Sequence, residues 1–288
     1  MKERDSRLTL YGTDDGRIPC AVVIPTKNEQ ANIVDCIASM IDDFESVYVV
    51  DSGSSDSTQA LAKSSGALVL ERIQQGPFDL VDQKNWALTQ VESSSGWVLF
   101  MDADERAPTS FVQALRQFIH TDAHNFDVAY LAPKFMYQGT WLRQFMGFPN
   151  WHPRLVNKER ARLVGRVWES IPDGARAAHV DEPYLHFANS KGLADWVERH
   201  VRYAQEEARL SAAEDVRGLD GDRRRERAMA NKLGGFRPGA ALVYHLILRR
   251  GVLDGGSVWS YARRQLIYQL LILEAQRERL RDQKRLPR

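Results

Sequence analysis

Trp97-Val98-Leu99-Phe100-Met101-Asp102-Ala103-Asp104-Glu105-Arg106 decides the fold of this chain. Five apolar residues in a row, Trp97 to Met101, show no polar alternation. That pattern is a strand buried on both faces, as in a parallel sheet covered by helices. The run then stops in acid, at Asp102, Asp104 and Glu105. In an open α/β sheet, ligands bind just beyond the carboxyl ends of the strands. A second Asp-x-Asp, Asp220-Gly221-Asp222, serves as an internal control. Charge and glycine surround it and no strand precedes it, so it reads as a solvated loop.

Working outward from Trp97, apolar strands and amphipathic helices alternate. Ala21–Ile24 reads as a buried strand ended by Pro25. A helix follows, with Asn28 as its N-cap and Ile33, Cys36, Ile37 and Met40 on one face. Val47–Val50 is a second strand, running into the small, polar loop Asp51-Ser52-Gly53-Ser54-Ser55-Asp56-Ser57-Thr58. Ser55 or Asp56 can cap the next helix. Ala67–Leu70 reads as a third strand, and Leu88 and Val91 mark a short helix before Trp97. Phe111, Leu115 and Phe118 give a helix, and Val128–Ala132 a strand. Such alternation predicts βαβ units and a mainly parallel sheet. The loops after Ile24, Val50 and Met101 all carry acidic or polar clusters, which places them at one site. Carboxylates two residues apart at a strand end can share a hard divalent cation, and such a cation can hold a diphosphate. The residues alone therefore point to metal-dependent chemistry on a nucleoside diphosphate.

Beyond Lys134 the pattern breaks down. Residues up to His186 read as short extended pieces forming an irregular wall or lid, with Trp141, Trp151 and Trp168 either lining it or filling core. Leu193, Trp196, Val197, His200, Val201 and Ala204 form a helical stripe. Residues 214–227 are highly charged and read as an exposed hinge. Ala240–Leu248 and Val258–Leu273 are apolar helices edged by Arg249, Arg250, Arg263 and Arg264. A basic amphipathic segment of this kind can lie in a membrane interface or pack on protein. The expected organisation is an arm over 1–17, one α/β domain over 18–213, and a hinge with C-terminal amphipathic helices over 214–288.

Bulk properties narrow the classes. With 38 acidic and 39 basic residues, net charge gives no sign of a nucleic-acid binder. Cys20 and Cys36 lie within apolar patterns, as buried thiols rather than a disulfide. The charged start, Met1-Lys2-Glu3-Arg4-Asp5, is unlike a signal peptide. No apolar run reaches the roughly 18 residues that span a bilayer. The expectation is a cytoplasmic protein, held at the inner face of the membrane if its last helices meet lipid.

Four motifs now carry a resemblance. Ile24-Pro25-Thr26-Lys27-Asn28-Glu29, Val49–Thr58, Gln83-Lys84-Asn85 and Met101-Asp102-Ala103-Asp104-Glu105-Arg106 stand in the order and spacing of glycosyltransferase family 2. Within it the chain resembles the lipopolysaccharide-core β-glucosyltransferase (WaaE-like) group. The likeness covers about residues 18–120 and weakens from 121 to 213. It implies a GT-A, Rossmann-like nucleotide-sugar-binding fold, and inverting transfer from a nucleoside-diphosphate sugar to a glycan or lipid-linked acceptor of a cell-surface polysaccharide or lipopolysaccharide. Pro25, Thr26 and Glu29 would line the nucleotide pocket. Asp51 would contact the base, Lys84 the nucleotide and Asp102 the ribose. Asp104 would bind a divalent metal, Mg²⁺ or Mn²⁺, and His186 would complete its site. Glu169 matches the family's catalytic base, although Trp168 replaces the histidine that usually precedes it. A structural salt bridge is the other reading for Glu169, and a core histidine the other reading for His186.

Two rivals stand beside this reading. A sugar-nucleotide pyrophosphorylase would need a glycine-rich basic loop after the first strand, where Pro25-Thr26-Lys27-Asn28-Glu29 has no glycine. A non-catalytic sugar-nucleotide-binding or scaffold subunit of a membrane-associated assembly would tolerate Trp168.

Overall fold

The computed structural model describes residues 16–76, 78–165, 169–212 and 234–285. The charged stretch at 214–227, the second Asp-x-Asp, Trp168 and most of the N-terminal arm lie outside them. The chain divides into two compact units. The first runs to Lys134 and resumes over Pro149–Phe187; the second comprises Phe135–Phe148 and the chain from Ala188 onward.

The first unit is built on β1 (Ile18–Thr26), β2 (Phe44–Asp51), β3 (Leu68–Glu71) and β4 (Trp97–Phe100). β5 (Glu105–Arg106) and β6 (Val128–Leu131) follow. β1 pairs in parallel with both β2 and β4, and β2 with β3. Alternate residues of these strands feed separate cores. Val22, Ile24, Val49 and Leu99 enter one, beneath Ile33 and Ile37 of α1 (Ile33–Ala38) and Phe111 and Leu115 of α4 (Thr109–Thr121). Val23, Val50, Val98 and Phe100 enter the other, with Val81, Ala87 and Leu88 of α3 (Leu80–Gln90). Burial on both faces is why the Trp97 run carries no alternation. Each large side chain so buried contributes about 1.5–3 kcal/mol. Cys20 and Cys36 are buried free thiols.

The expected irregular wall is in part a strand of the main sheet. The full order is β10-β6-β9-β4-β1-β2-β3, counting β7 (Pro133–Tyr137), β8 (Thr140–Trp141), β9 (His152–Asn157), β10 (Ala177–His179) and β11 (Tyr184–Phe187) in chain order. β9 runs antiparallel between β4 and β6. Its sequence, His-Pro-Arg-Leu-Val-Asn, hides this role. Proline and arginine are poor signals for a central strand, but Pro153 stands at its start and Arg154 has two acids to answer, the buried Glu105 and the half-buried Asp102. Asn28 is also not a helix cap. It takes a positive φ of 54°, and Asn32 precedes α1. Helix α2 (Thr58–Ser64) has Ser57, not Ser55 or Asp56, at its N-cap position, while the carboxylate of Asp56 just before it accepts from Thr58 N at 3.0 Å.

In the second unit, β7 and β8 form a hairpin and α5 (Arg143–Met146) follows. Tyr137, Leu142 and Phe145 share a core with Val258 and Ala262. Helix α6 (Gly192–Ala212) buries Trp196, Ala204 and Ala208. Leu193 and Val197, also on the helical stripe, are 58% and 42% exposed. His200 stacks on Trp196 and meets Tyr268 edge-on. α7 (Arg237–Val243) passes into a π-helical turn at Tyr244–Leu248, then a 3-10 turn at Gly251–Asp254, then α8 (Ser257–Arg285).

Candidate active site at the strand ends

The carboxyl ends of β1 and β2 lie side by side, with Thr26 opposite Asp51, and Met101 N donates to Val23 O at 3.1 Å. The first two loops are bonded to each other. Asn28 N donates to Ser54 Oγ at 2.8 Å and Glu29 N to Thr58 Oγ1 at 2.8 Å. In return Ser55 N donates to Asn28 Oδ1 at 2.8 Å. This bond explains the left-handed backbone of Asn28, a conformation asparagine tolerates better than most residues.

Asp51 is fully buried. Its carboxylate accepts from Gly53 N, Ser54 N, the Ser54 hydroxyl and Gln59 Nε2. Four donors fill the roughly four lone-pair sites of a carboxylate. Asp51 therefore organises its loop, and a base contact there requires one of these donors to leave. Gly53 has φ +81° and faces Ile73, which fits its place in the turn. Pro25 and Glu29 are half-buried and Thr26 is buried. The Thr26 hydroxyl has no hydrogen-bond partner among the described residues, and Glu29 Oε2 accepts from Asn32 Nδ2 at 2.7 Å.

Lys84 on α3 is wholly buried, with its ammonium 5.2 Å from the centre of the Phe100 ring. It forms an ion pair with Glu169 Oε1. The structure thus joins two residues that the sequence assigns to different tasks. Glu169 Oε2 is buried and has no hydrogen-bond partner among the described residues. Asn85, the next residue of that motif, clamps the backbone of Leu163 with both ends of its amide, at 2.8 and 2.9 Å.

After β4 the three acids separate. Glu105 turns inward and is wholly buried. Its Oε2 accepts from Asp102 N at 2.7 Å, and its Oε1 lies 3.0 Å from Arg154 Nη2. The same guanidinium nitrogen lies 2.7 Å from Asp102 Oδ2. Burial drives the Glu105 pKa up, against the pull of Arg154, to about 8. For Asp102, burial also raises the pKa, but Arg154 and then Lys84 outweigh it and hold the carboxyl well below its usual range. One cation between two acids keeps the nearer one ionised. Arg154 carries no sequence signal beyond being a lone charge in an apolar run.

Asp104 faces His186. β11 pairs antiparallel with β5, and Phe187 N donates to Asp104 O at 2.8 Å. This brings His186 Nε2 to 3.5 Å from Asp104 Oδ2. Burial lowers the His186 pKa, while Asp104 and then Glu105 raise it, to a net value of about 9. Both side chains are partly accessible, at 26% for His186 and 20% for Asp104. Carboxylate oxygen and imidazole nitrogen suit a divalent cation such as Mn²⁺. Among the described residues no group of three or more histidine, cysteine or acidic side chains gathers to hold one. Two protein donors still fit a cation that takes its remaining ligands from substrate phosphates and water.

These features meet at the strand ends of a mainly parallel sheet flanked by helices. The family described as glycosyl transferase family 2 matches residues 21–181, and the chain belongs to that family. The fold is the GT-A-like α/β fold, extended by C-terminal helices. Among curated proteins, the chain is similar to an uncharacterized glycosyltransferase of Rickettsia prowazekii, 34% identical over 154 residues, covering 52% of this chain and 50% of that one. An uncharacterized glycosyltransferase of Rickettsia typhi is 32% identical over the same shares. The chain spans about half the length of these relatives. Among solved structures, a mannosyltransferase of Pyrobaculum calidifontis in complex with GDP-Man and Mn²⁺ matches with a TM-score of 0.50. It is 17% identical, over 92% of this chain and 89% of that one.

Proposed function

We propose that this protein is an inverting, metal-dependent glycosyltransferase that moves a sugar from a nucleoside-diphosphate donor to a glycan or lipid-linked acceptor. The observation that carries the reading is the Asp104–His186 pair, 3.5 Å apart beyond the end of β4, beside the bonded loops that follow β1 and β2. Those loops supply backbone amides and small hydroxyls, as a nucleotide pocket requires. Pro25, Thr26 and Glu29 line the pocket, Asp51 holds its loop for the base, and Asp102 meets the ribose. Asp104 and His186 would hold Mg²⁺ or Mn²⁺, which when bound neutralises charge on the leaving diphosphate.

Glu169 is the base in this reading. Lys84 pairs with one oxygen of the carboxylate and fixes its orientation, and Oε2 retains acceptor capacity. A carboxylate so held takes the acceptor hydroxyl's proton as its oxygen forms a bond to the anomeric carbon. The bond from that carbon to the diphosphate breaks on the opposite face, and its electron pair leaves with the nucleoside diphosphate. The four spaced motifs favour the WaaE-like group and so a role in lipopolysaccharide or cell-surface polysaccharide assembly at the inner face of the membrane. The division of labour is then a catalytic domain over 18–213 and C-terminal helices that position it.

One observation favours a second reading. Lys84 and Glu169 engage each other, which a sugar-nucleotide-binding scaffold subunit would also tolerate. Assaying UDP- and GDP-sugars for nucleoside diphosphate release, with Mn²⁺ and with a panel of lipid-linked acceptors, separates the two. Release that depends on acceptor supports transfer; nucleotide binding without any turnover supports the scaffold.

A further inference from the structure

Helix α8 carries apolar side chains on two faces. Val258, Ala262 and Ile272 are buried. Trp259, Ile267 and Leu270 are 53%, 45% and 48% exposed. Positions 259, 263, 267 and 270 follow one another at helical spacing, so they share a face. Arg263, also exposed, stands among them. An ordinary surface helix shows water its polar side. The turn before α8 repeats the anomaly, with Leu248 70% and Leu253 71% exposed.

That turn is built, not frayed. The His245 ring stacks on Phe145 at 4.9 Å, and its Nδ1 lies 2.9 Å from Phe145 O. The Asp254 carboxylate accepts from Gln144 N and Phe145 N, at 3.0 and 2.7 Å. A Cβ at Gly251 would come within 2.5 Å of His245 O, so the bend admits only glycine. Leu248 and Leu253 are therefore presented on a fixed support.

Charge decides what these side chains meet. Residues 237–273 hold five arginines and one acid, Asp254, and Asp254 is turned to the start of α5. Balanced charge returns only past this stretch, where Arg277 pairs with Glu274 at 2.6 Å. Apolar side chains rimmed by arginine suit an anionic lipid surface: the apolar groups enter the acyl boundary and the arginines stay among the headgroups. Tryptophan favours that same interfacial depth. Among the described residues no helix is long and apolar enough to cross a membrane, so the contact is peripheral.

We propose that Leu248, Leu253, Trp259 and Leu270, with Arg250 and Arg263, dock this protein on an anionic bilayer. The inference is independent of the transfer reading, because the docking is measured without donor or acceptor.

The test is flotation of the full chain with phosphatidylcholine vesicles containing roughly one-third phosphatidylglycerol, against phosphatidylcholine alone. The wild type should float with the anionic vesicles and largely dissociate at about 0.5 M salt. The double variant Leu248→Asp/Leu253→Asp should bind at least about tenfold more weakly, and Arg250→Gln/Arg263→Gln should lose the preference for anionic lipid. Both should melt where the wild type does, since all four side chains are exposed. Equal flotation of wild type and variants overturns the proposal, as does failure of the wild type to float. A concentration-dependent dimer that Leu248→Asp/Leu253→Asp dissolves, without lipid binding, also overturns it and assigns the surface to a second copy.

Discussion

Arg154 Nη2 stands 2.7 Å from Asp102 Oδ2, so the antiparallel strand inserted into the sheet supplies the cation for acids at the end of its neighbour. The same nitrogen serves the wholly buried Glu105 at 3.0 Å. Removing one partner of a buried ionic group is far costlier than never having built it, about 3–5 kcal/mol. Arg154→Ala should therefore destabilise the fold by about 3 kcal/mol or more in chemical denaturation. Arg154→Lys should recover only part, since the shorter lysine keeps the charge but reaches both acids less readily. A loss under about 1 kcal/mol for Arg154→Ala contradicts a shared-cation role.

Glu169→Gln should keep a hydrogen bond to Lys84 while removing the charge that accepts a proton. Turnover should fall by about 10²–10⁴, the usual worth of a general base. Nucleotide affinity, measured by titration calorimetry, should hardly change. Collapse of nucleotide binding and turnover together assigns Glu169 to structure instead.

Asp51→Asn replaces one carboxylate oxygen with an amide that can only donate. Gly53 N, Ser54 N and Gln59 Nε2 all approach Oδ2, at 2.9, 2.8 and 2.8 Å. With the amide nitrogen in the Oδ1 place the Ser54 hydroxyl must reverse to accept from it, and the three donors at Oδ2 lose a charged acceptor, at a cost of about 1–3 kcal/mol. Nucleotide affinity should drop as well, because the loop loses its shape. Unchanged melting and unchanged affinity in this variant contradict the organising role.

Asp127 accepts from Arg176 N at 3.0 Å and from Arg176 Nη2 at 2.7 Å. These bonds, the side-chain bond foremost, lower its pKa below the ordinary carboxylate value. A depressed pKa means stability that is complete above the unfolded value, about 3.9, and lost as pH falls through the folded value. Asp127→Asn should cost about 1 kcal/mol at neutral pH. The gap to wild type should close progressively below about pH 4. A gap that persists unchanged into acid contradicts an ionic origin.

The sheet was legible in the sequence because its central strands are buried on both faces and read as unbroken apolar runs. The strand-end acids were legible for the same reason, since a buried run that stops in acid marks a loop at the sheet's edge. β9 was not legible. Its apolar content is Leu155 and Val156 alone, and its pairing with β4 and β6 is long-range. Arg154 was missed with it, for a buried arginine announces itself only through acids that are distant in sequence. Asp102, Asp104 and Glu105 looked equivalent on paper, but strand geometry sends Glu105 inward and leaves Asp104 toward His186. The pairing of Lys84 with Glu169 joins residues 85 apart in sequence and left no local trace.

The most direct test of the central claim is the thermal shift produced by nucleoside diphosphates with and without Mn²⁺, in the wild type, Asp104→Ala and His186→Ala. A ligand that binds only the folded state raises the melting temperature by mass action, about 2.7 kcal/mol at a hundredfold excess over Kd. The account predicts a shift in the wild type that requires Mn²⁺, and its loss in both variants without a drop in their unliganded melting temperature of more than a few degrees. A nucleotide shift of equal size with and without Mn²⁺, preserved in Asp104→Ala, would contradict the account.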